Sequence, residues 1–186
     1  MARGRKKPKG KKINPTLFVF CEGETEVAYV NLLKSDYRLP SVHIHAKIRG
    51  NKITSGYINK YKQDKPTHEK DMNFLIYDMD VPAMAERLNQ IEGCTLLLSN
   101  PCIELWFLLH YKNQKAHIDS PRCRKEMENR NKVYKKGLLN EKLKEKLLSK
   151  RPEAVKRAKA LAEYENPCST LYKLIEILEE LKGRRA

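Results

Sequence analysis

Thr16-Leu17-Phe18-Val19-Phe20-Cys21 runs directly into Glu22-Gly23-Glu24-Thr25-Glu26. The first six residues are almost continuously apolar, as a strand buried on both faces requires. Glu22-Gly23-Glu24 breaks that run. Thr25 can then cap a helix reaching about Ser35, with Val27, Val30 and Leu33 on its inner side.

The same alternation continues outward. Val42–Ile48 has strand composition and is followed by Gly50, and Ser55–Gln63 reads as a short helix. Asn73–Tyr77 is a second buried-type strand, ending in Asp78-Met79-Asp80. Pro82 suits the first turn of a helix that Ala83–Ile91 continues. Thr95–Leu98 is a further strand, and Ser99-Asn100-Pro101 opens a helix through about Tyr111. Strand and helix in strict alternation predict an α/β fold with a mainly parallel central sheet flanked by helices. From about Pro121 the strands stop, and Glu141–Ser149, Pro152–Tyr164 and Ser169–Leu181 carry helical spacing. The chain divides into an arm at 1–15, an α/β core at 16–120 and a helical extension at 121–186. That extension either stands as a subdomain or folds back on the sheet; the division adopted packs it on the core.

With 40% hydrophobic residues in 186, a real core is affordable in one domain. The net charge of +15 favours a polyanionic partner, most simply RNA or DNA. Arg3, Arg5, Lys6, Lys7, Lys9, Lys11 and Lys12 crowd into the first fifteen residues without an acid. That stretch has no hydrophobic periodicity and reads as a disordered arm, either binding nucleic acid or simply solvating the chain. Five scattered cysteines include no CxxC pair, so neither zinc spacing nor a disulfide framework is present. The basic start leads into no apolar segment and no run reaches membrane-spanning length, which predicts a cytoplasmic protein without a membrane partner.

In open parallel sheets, ligands bind beyond the carboxyl ends of the strands. Glu22 follows the first strand, Asp78 and Asp80 follow the third, and Glu26 lies one helical turn after Glu22. Clustered carboxylates repel unless a cation neutralises them, and magnesium takes such oxygen ligands. Each acid also has a plain reading: Glu22 and Glu24 as solvated loop acids, Glu26 complementing a helix dipole, Asp80 capping the helix at Pro82. Glu104 sits in Cys102-Ile103-Glu104-Leu105-Trp106-Phe107-Leu108-Leu109, a helix apolar nearly all round and therefore buried. Its carboxylate needs a partner: a backbone donor, a base or a metal. His43 and His45 alternate on a strand and read as packed or surface residues, since no third ligand is evident. His110 ends the apolar helix, where a histidine can interact with the dipole.

These motifs together resemble a known family. Phe20-Cys21-Glu22-Gly23-Glu24-Thr25-Glu26 resembles the CEGxxTE opening of RloB-like proteins, one spacer residue shorter, and the VEGxTE opening of Toprim domains in OLD-family nucleases. Asp78-Met79-Asp80 is similar to the DxD after the third Toprim strand. Ser99-Asn100-Pro101-Cys102-Ile103-Glu104-Leu105-Trp106 resembles the SNPCFELW signature of RloB, and Asn166-Pro167-Cys168-Ser169-Thr170 its closing NPST-type segment. The resemblance implies a Toprim-like fold with Mg2+, or Mn2+ in its place, held by Glu22, Asp78, Asp80 and Glu26. It implies a nuclease in bacterial anti-phage defence (abortive infection), with an RloA-like ATPase as partner. The catalytic set is then Glu22, Asp78, Asp80, Glu26 and Glu104, the last an extrapolation from the RloB signature. A non-catalytic nucleic-acid-binding or regulatory subunit is the alternative. No GxxxxGK[ST] motif occurs, so ATP hydrolysis would belong to another chain. Val81-Pro82 stand where many relatives carry a further acid, which removes one ligand from a two-metal site.

Overall fold

A computed structural model describes residues 15–38, 44–48 and 52–183. Among them five strands form one sheet in the order β2-β1-β3-β4-β5. The strands are β1 (Leu17–Cys21), β2 (Ile44–Ile48), β3 (Met72–Asp78), β4 (Cys94–Asn100) and β5 (Cys168–Ser169). β1 to β4 pair in parallel and β5 pairs antiparallel with β4. Eight helices accompany them among the described residues: α1 (Glu24–Tyr37), α2 (Ser55–Gln63), α3 (Pro82–Asn89), α4 (Ile103–Leu109), α5 (Ser120–Arg130), α6 (Glu141–Ser149), α7 (Arg151–Lys159) and α8 (Tyr172–Gly183).

The unbroken apolar run of β1 has its explanation in two covered faces. Leu17, Val19 and Cys21 join Phe74, Ile76 and Leu97 in a core shared with α1 and α4 to α8. Phe18 and Phe20 join Leu75, Tyr77 and Leu98 in a smaller core closed by Ile58 of α2 and by Met84 and Leu88 of α3. Side chains alternate between faces along a strand, so only an all-apolar segment satisfies both. Each fully buried phenylalanine stabilises the fold by about 1.5–3 kcal/mol. The larger core is continuous from the sheet into the helical extension: Trp106 of α4, Met127 of α5, Leu143 of α6, Ala154 of α7 and Leu178 of α8 all belong to it.

Four expectations are corrected. The strands do not stop at Pro121, because Cys168-Ser169 closes the sheet as β5. Two residues are too few to show a period. The strand is held by a Ser99–Ser169 hydroxyl bond of 2.9 Å, and Leu98 N–H donates to Thr170 Oγ1 at 2.8 Å. The last helix accordingly begins at Tyr172 rather than Ser169. The seventh helix ends at Lys159, well short of Tyr164, which itself adopts a left-handed φ of 68°. Finally, Gly23 rather than Thr25 is the N-cap of α1, and Thr25 already lies inside the helix.

Candidate functional site

The carboxyl ends of β1 and β3 are adjacent, with Cys21 in register with Ile76. Glu22 N–H continues the ladder to Ile76 O at 3.0 Å. This places the Glu22 side chain beside the last residue of β3, and its Oε2 accepts the Asp78 N–H at 2.9 Å. Asp78, 7% exposed, turns its own carboxylate toward α4, where Oδ1 accepts the Ile103 N–H at 2.8 Å. Glu26, on the first turn of α1, reaches back so that Oε2 accepts the Gly23 N–H at 3.0 Å. One oxygen of each of these three carboxylates is thus fixed by a backbone donor.

Glu104 comes from the first turn of α4 and is 0% exposed. The Tyr134 hydroxyl donates to its Oε1 at 2.9 Å, and Arg124 Nε lies 3.9 Å from the same oxygen. Glu104 Oε2 is buried without a hydrogen-bond partner among the described residues. A buried carboxylate oxygen with no donor is costly to the fold.

The four acids feel one another. Burial, and then the charges of Glu26, Glu22 and Glu104, push the Asp78 carboxyl up to about 9. Burial likewise raises Glu26, with Glu22 and Glu104 adding to it against its backbone hydrogen bonds. Asp80 stands apart: whereas Asp78 is buried at the end of β3, Asp80 is exposed in the turn before α3. It does not cap α3 either, whose N-cap is Val81 without a side-chain bond. Among the described residues, no three carboxylate, imidazole or thiol groups converge closely enough to hold an ion as their side chains stand.

Neighbouring groups are unsuited to nucleophilic or base chemistry. Cys102 is raised far above the thiol range by contact with the Cys123 thiol, burial and the Glu104 charge, so it remains a thiol. His110 is buried, its Nδ1 lies 2.8 Å from Trp106 O, and burial lowers it to about 4. It is therefore neutral and bears no charge for a helix dipole to act on. His43 and the basic residues Arg3, Arg5, Lys6, Lys7, Lys9, Lys11 and Lys12 lie outside the described residues.

The fold also explains the two Asn-Pro segments. Asn166 Nδ2 donates to Asn100 Oδ1 at 3.1 Å, joining the segment before β5 to the end of β4. Asn166 further brackets Ile118, donating to its carbonyl at 2.9 Å and accepting its N–H at 2.9 Å. A model of the family described as RloB-like protein matches residues 17–178. The chain belongs to the RloB-like family. No curated protein and no solved structure matches it. In this RloB-like chain, the Ser-Asn-Pro-Cys-x-Glu-Leu-Trp stretch performs two tasks. Its first half pairs with the 166–170 segment, and its second half delivers Glu104 into the acidic cluster.

Two participants escaped the sequence reading. Tyr134 lies in Lys132-Val133-Tyr134-Lys135-Lys136-Gly137, a polar stretch without periodicity, and Arg124 looks like any surface arginine of α5. Thr25, read as a helix cap, instead accepts the Gly137 N–H at 2.9 Å and ties that stretch to α1. Only the isolated aromatic among lysines offered a signal.

Proposed function

We propose that this protein is a divalent-metal-dependent nuclease of bacterial anti-phage defence, with a Toprim-type acidic site at the β1 and β3 ends. The observation that carries the reading is the buried Asp78 at the end of β3, with its N–H on Glu22 and its carboxylate on the Ile103 N–H of α4, next to Glu104 with its undonated Oε2. Burial and then the charges of Glu26, Glu22 and Glu104 push the Asp78 carboxyl up to about 9. Such a concentration of carboxylates is unfavourable without a counter-charge, and strongly perturbed acids gather at functional sites. The donor set is entirely oxygen, which fits Mg2+ or Mn2+.

Glu22, Glu26 and Asp78 are the residues that would hold the ion, each keeping one oxygen on its backbone donor. Their placement requires side-chain rotation, since the three do not converge as they stand. The ion, when bound, would lower the proton affinity of a water and offset charge on a phosphodiester. The protein's own groups do the rest. Backbone N–H bonds aim Glu22 and Asp78, and Glu104 is fixed by Tyr134 with Arg124 beside it. Asp80, at the rim, is left outside this set.

The test is cleavage of labelled RNA and DNA by the full chain with magnesium, beside titration calorimetry of Mn2+. Asp78→Asn should abolish both cleavage and tight Mn2+ binding. Undiminished cleavage by that variant would remove this site from consideration.

A further inference from the structure

Four acids near the β1 and β3 ends repel the polyanion that the proposed function requires, so something beside them has to attract it. The segment 131–138, between α5 and α6, is built for that position. It is anchored at its base by Asn131, which is fully buried: Asn131 N–H donates to Met127 O at 2.8 Å, and its amide exchanges bonds with the Asn140 amide at 3.1 and 3.3 Å. It turns on itself through an isolated bridge between Lys135 and Leu138, with Gly137 at a φ of 84°. It then docks on the acidic motif at two points. The Tyr134 hydroxyl reaches Glu104, and Gly137 N–H reaches Thr25, the residue before Glu26.

Inward docking of Tyr134 and Gly137 leaves the residues between and beside them outside. Lys132, Lys135 and Lys136 are exposed, and no ion pair engages them among the described residues. They are within one or two residues of Tyr134, whose hydroxyl touches the cluster. Four lysines between 144 and 173 differ in this respect, being paired with glutamates: Lys144 with Glu141, Lys150 with Glu153, Lys159 with Glu176 and Lys173 with Glu163.

We propose that the 131–138 segment is the backbone-binding wall of the acidic site, with Lys132, Lys135 and Lys136 holding successive phosphates of a nucleic-acid strand. Lysine serves here as a mobile point charge, suited to a phosphate chain rather than to base recognition. Docking by Tyr134 and Gly137 sets the distance between that chain and the carboxylates. The inference rests on the nuclease reading and adds the surface that presents the substrate.

The experiment measures binding of a fluorescein-labelled single-stranded oligonucleotide to the full chain, in EDTA, across a series of salt concentrations. Two triple variants are compared with the parent: Lys132→Ala, Lys135→Ala, Lys136→Ala, and a control, Lys52→Ala, Lys60→Ala, Lys70→Ala. Both remove three exposed charges, and thermal melts confirm that both fold. Loss of the wall should flatten the slope of log K against log salt by about 2, whereas the control should retain the parent slope. An unchanged slope in the first triple, or equal flattening in the control, overturns the proposal. Asp78→Asn separates the two readings. Flattening by the wall variant in a protein that never cleaves leaves the wall standing and removes the nuclease. Asp78-dependent cleavage with an unaltered slope does the reverse.

Discussion

Asp78→Asn should make the metal-free protein more stable at alkaline pH, an unusual outcome for a change at a buried, hydrogen-bonded position. The substitution keeps an oxygen for the Ile103 N–H and removes only the charge. In the unfolded chain the carboxyl titrates near the ordinary 3.8, and in the fold it is held up to about 9 by burial and by Glu26, Glu22 and Glu104. The folded protein therefore binds this proton more tightly than the unfolded chain, and raising the pH favours unfolding. Stability from this group is full below pH about 4 and drains away as the pH rises toward 9. At pH 8, the difference amounts to about 6 kcal/mol at about 1.4 kcal/mol per pH unit. Relaxation of neighbouring side chains reduces this, and a gain of about 3 kcal/mol is expected. For a chain of this size that raises the melting midpoint by about 6–12 °C. The assay is urea or thermal unfolding of both proteins from pH 5 to 9, in EDTA and again with saturating magnesium. In EDTA the two curves should converge toward pH 5 and diverge toward pH 8. Magnesium should stabilise the parent and leave Asp78→Asn unmoved. An Asp78→Asn protein no more stable than its parent at pH 8 in EDTA would refute the electrostatic account.

Other consequences follow from the same contacts. Tyr134→Phe leaves Glu104 Oε1 without its 2.9 Å donor and should cost about 1–3 kcal/mol, read by urea unfolding; a neutral result would mean the hydroxyl bond contributes nothing. Gly137→Ala puts a methyl group 3.1 Å from Glu24 Oε2 at a positive φ. It should destabilise by about 1–2 kcal/mol and speed amide exchange at Gly137, whereas wild-type protection there would show that Thr25 does not hold the loop. Thr170→Val keeps the shape but orphans the Leu98 N–H, so a loss of about 1–3 kcal/mol is expected, with early exchange along β4. Equal stability of the Val variant would mean that β5 adds nothing to the sheet.

The parallel sheet was legible because its signals are strong and local. A strand covered on both faces has to be apolar where it is buried, as Leu17–Cys21 of β1, Phe74–Tyr77 of β3 and Leu97-Leu98 of β4 are. Helix α2 spans Ser55–Gln63 as its sequence reads, and in the fold Thr54 caps it by accepting the Tyr57 N–H. What the sequence hid was pairing at long range. β5 is two residues, and its segment is held through Ser169, Thr170 and Asn166 to Ser99, Leu96 and Ile118, partners 48 to 74 positions away that leave no period to read. The reach of Thr25 to Gly137 is of the same kind, spanning 112 positions.

The acidic site was legible in membership and not in arrangement. Strand order alone brings Glu22 beside Asp78, because β1 and β3 are neighbours and both end at the same rim. Glu104 was flagged by a carboxylate amid apolar residues, and burial raises the importance of any such charge. Asp80, two residues beyond Asp78, lies past the end of β3, so the ladder that aims Asp78 does not place it. Asp78 is the last residue of β3 and faces α4, whereas Asp80 already belongs to the exposed turn. The same geometry explains why the helical extension matters to the site. Glu22, Glu26 and Asp78 find their donors in backbone near the strand ends, but Glu104 is buried too deeply for that. Its donor and its nearest cation, Tyr134 and Arg124, are both supplied by residues beyond the fourth strand. A sheet with α1 to α4 alone would leave that carboxylate buried and unanswered, so the acidic centre and the carboxyl-terminal third of the chain depend on one another.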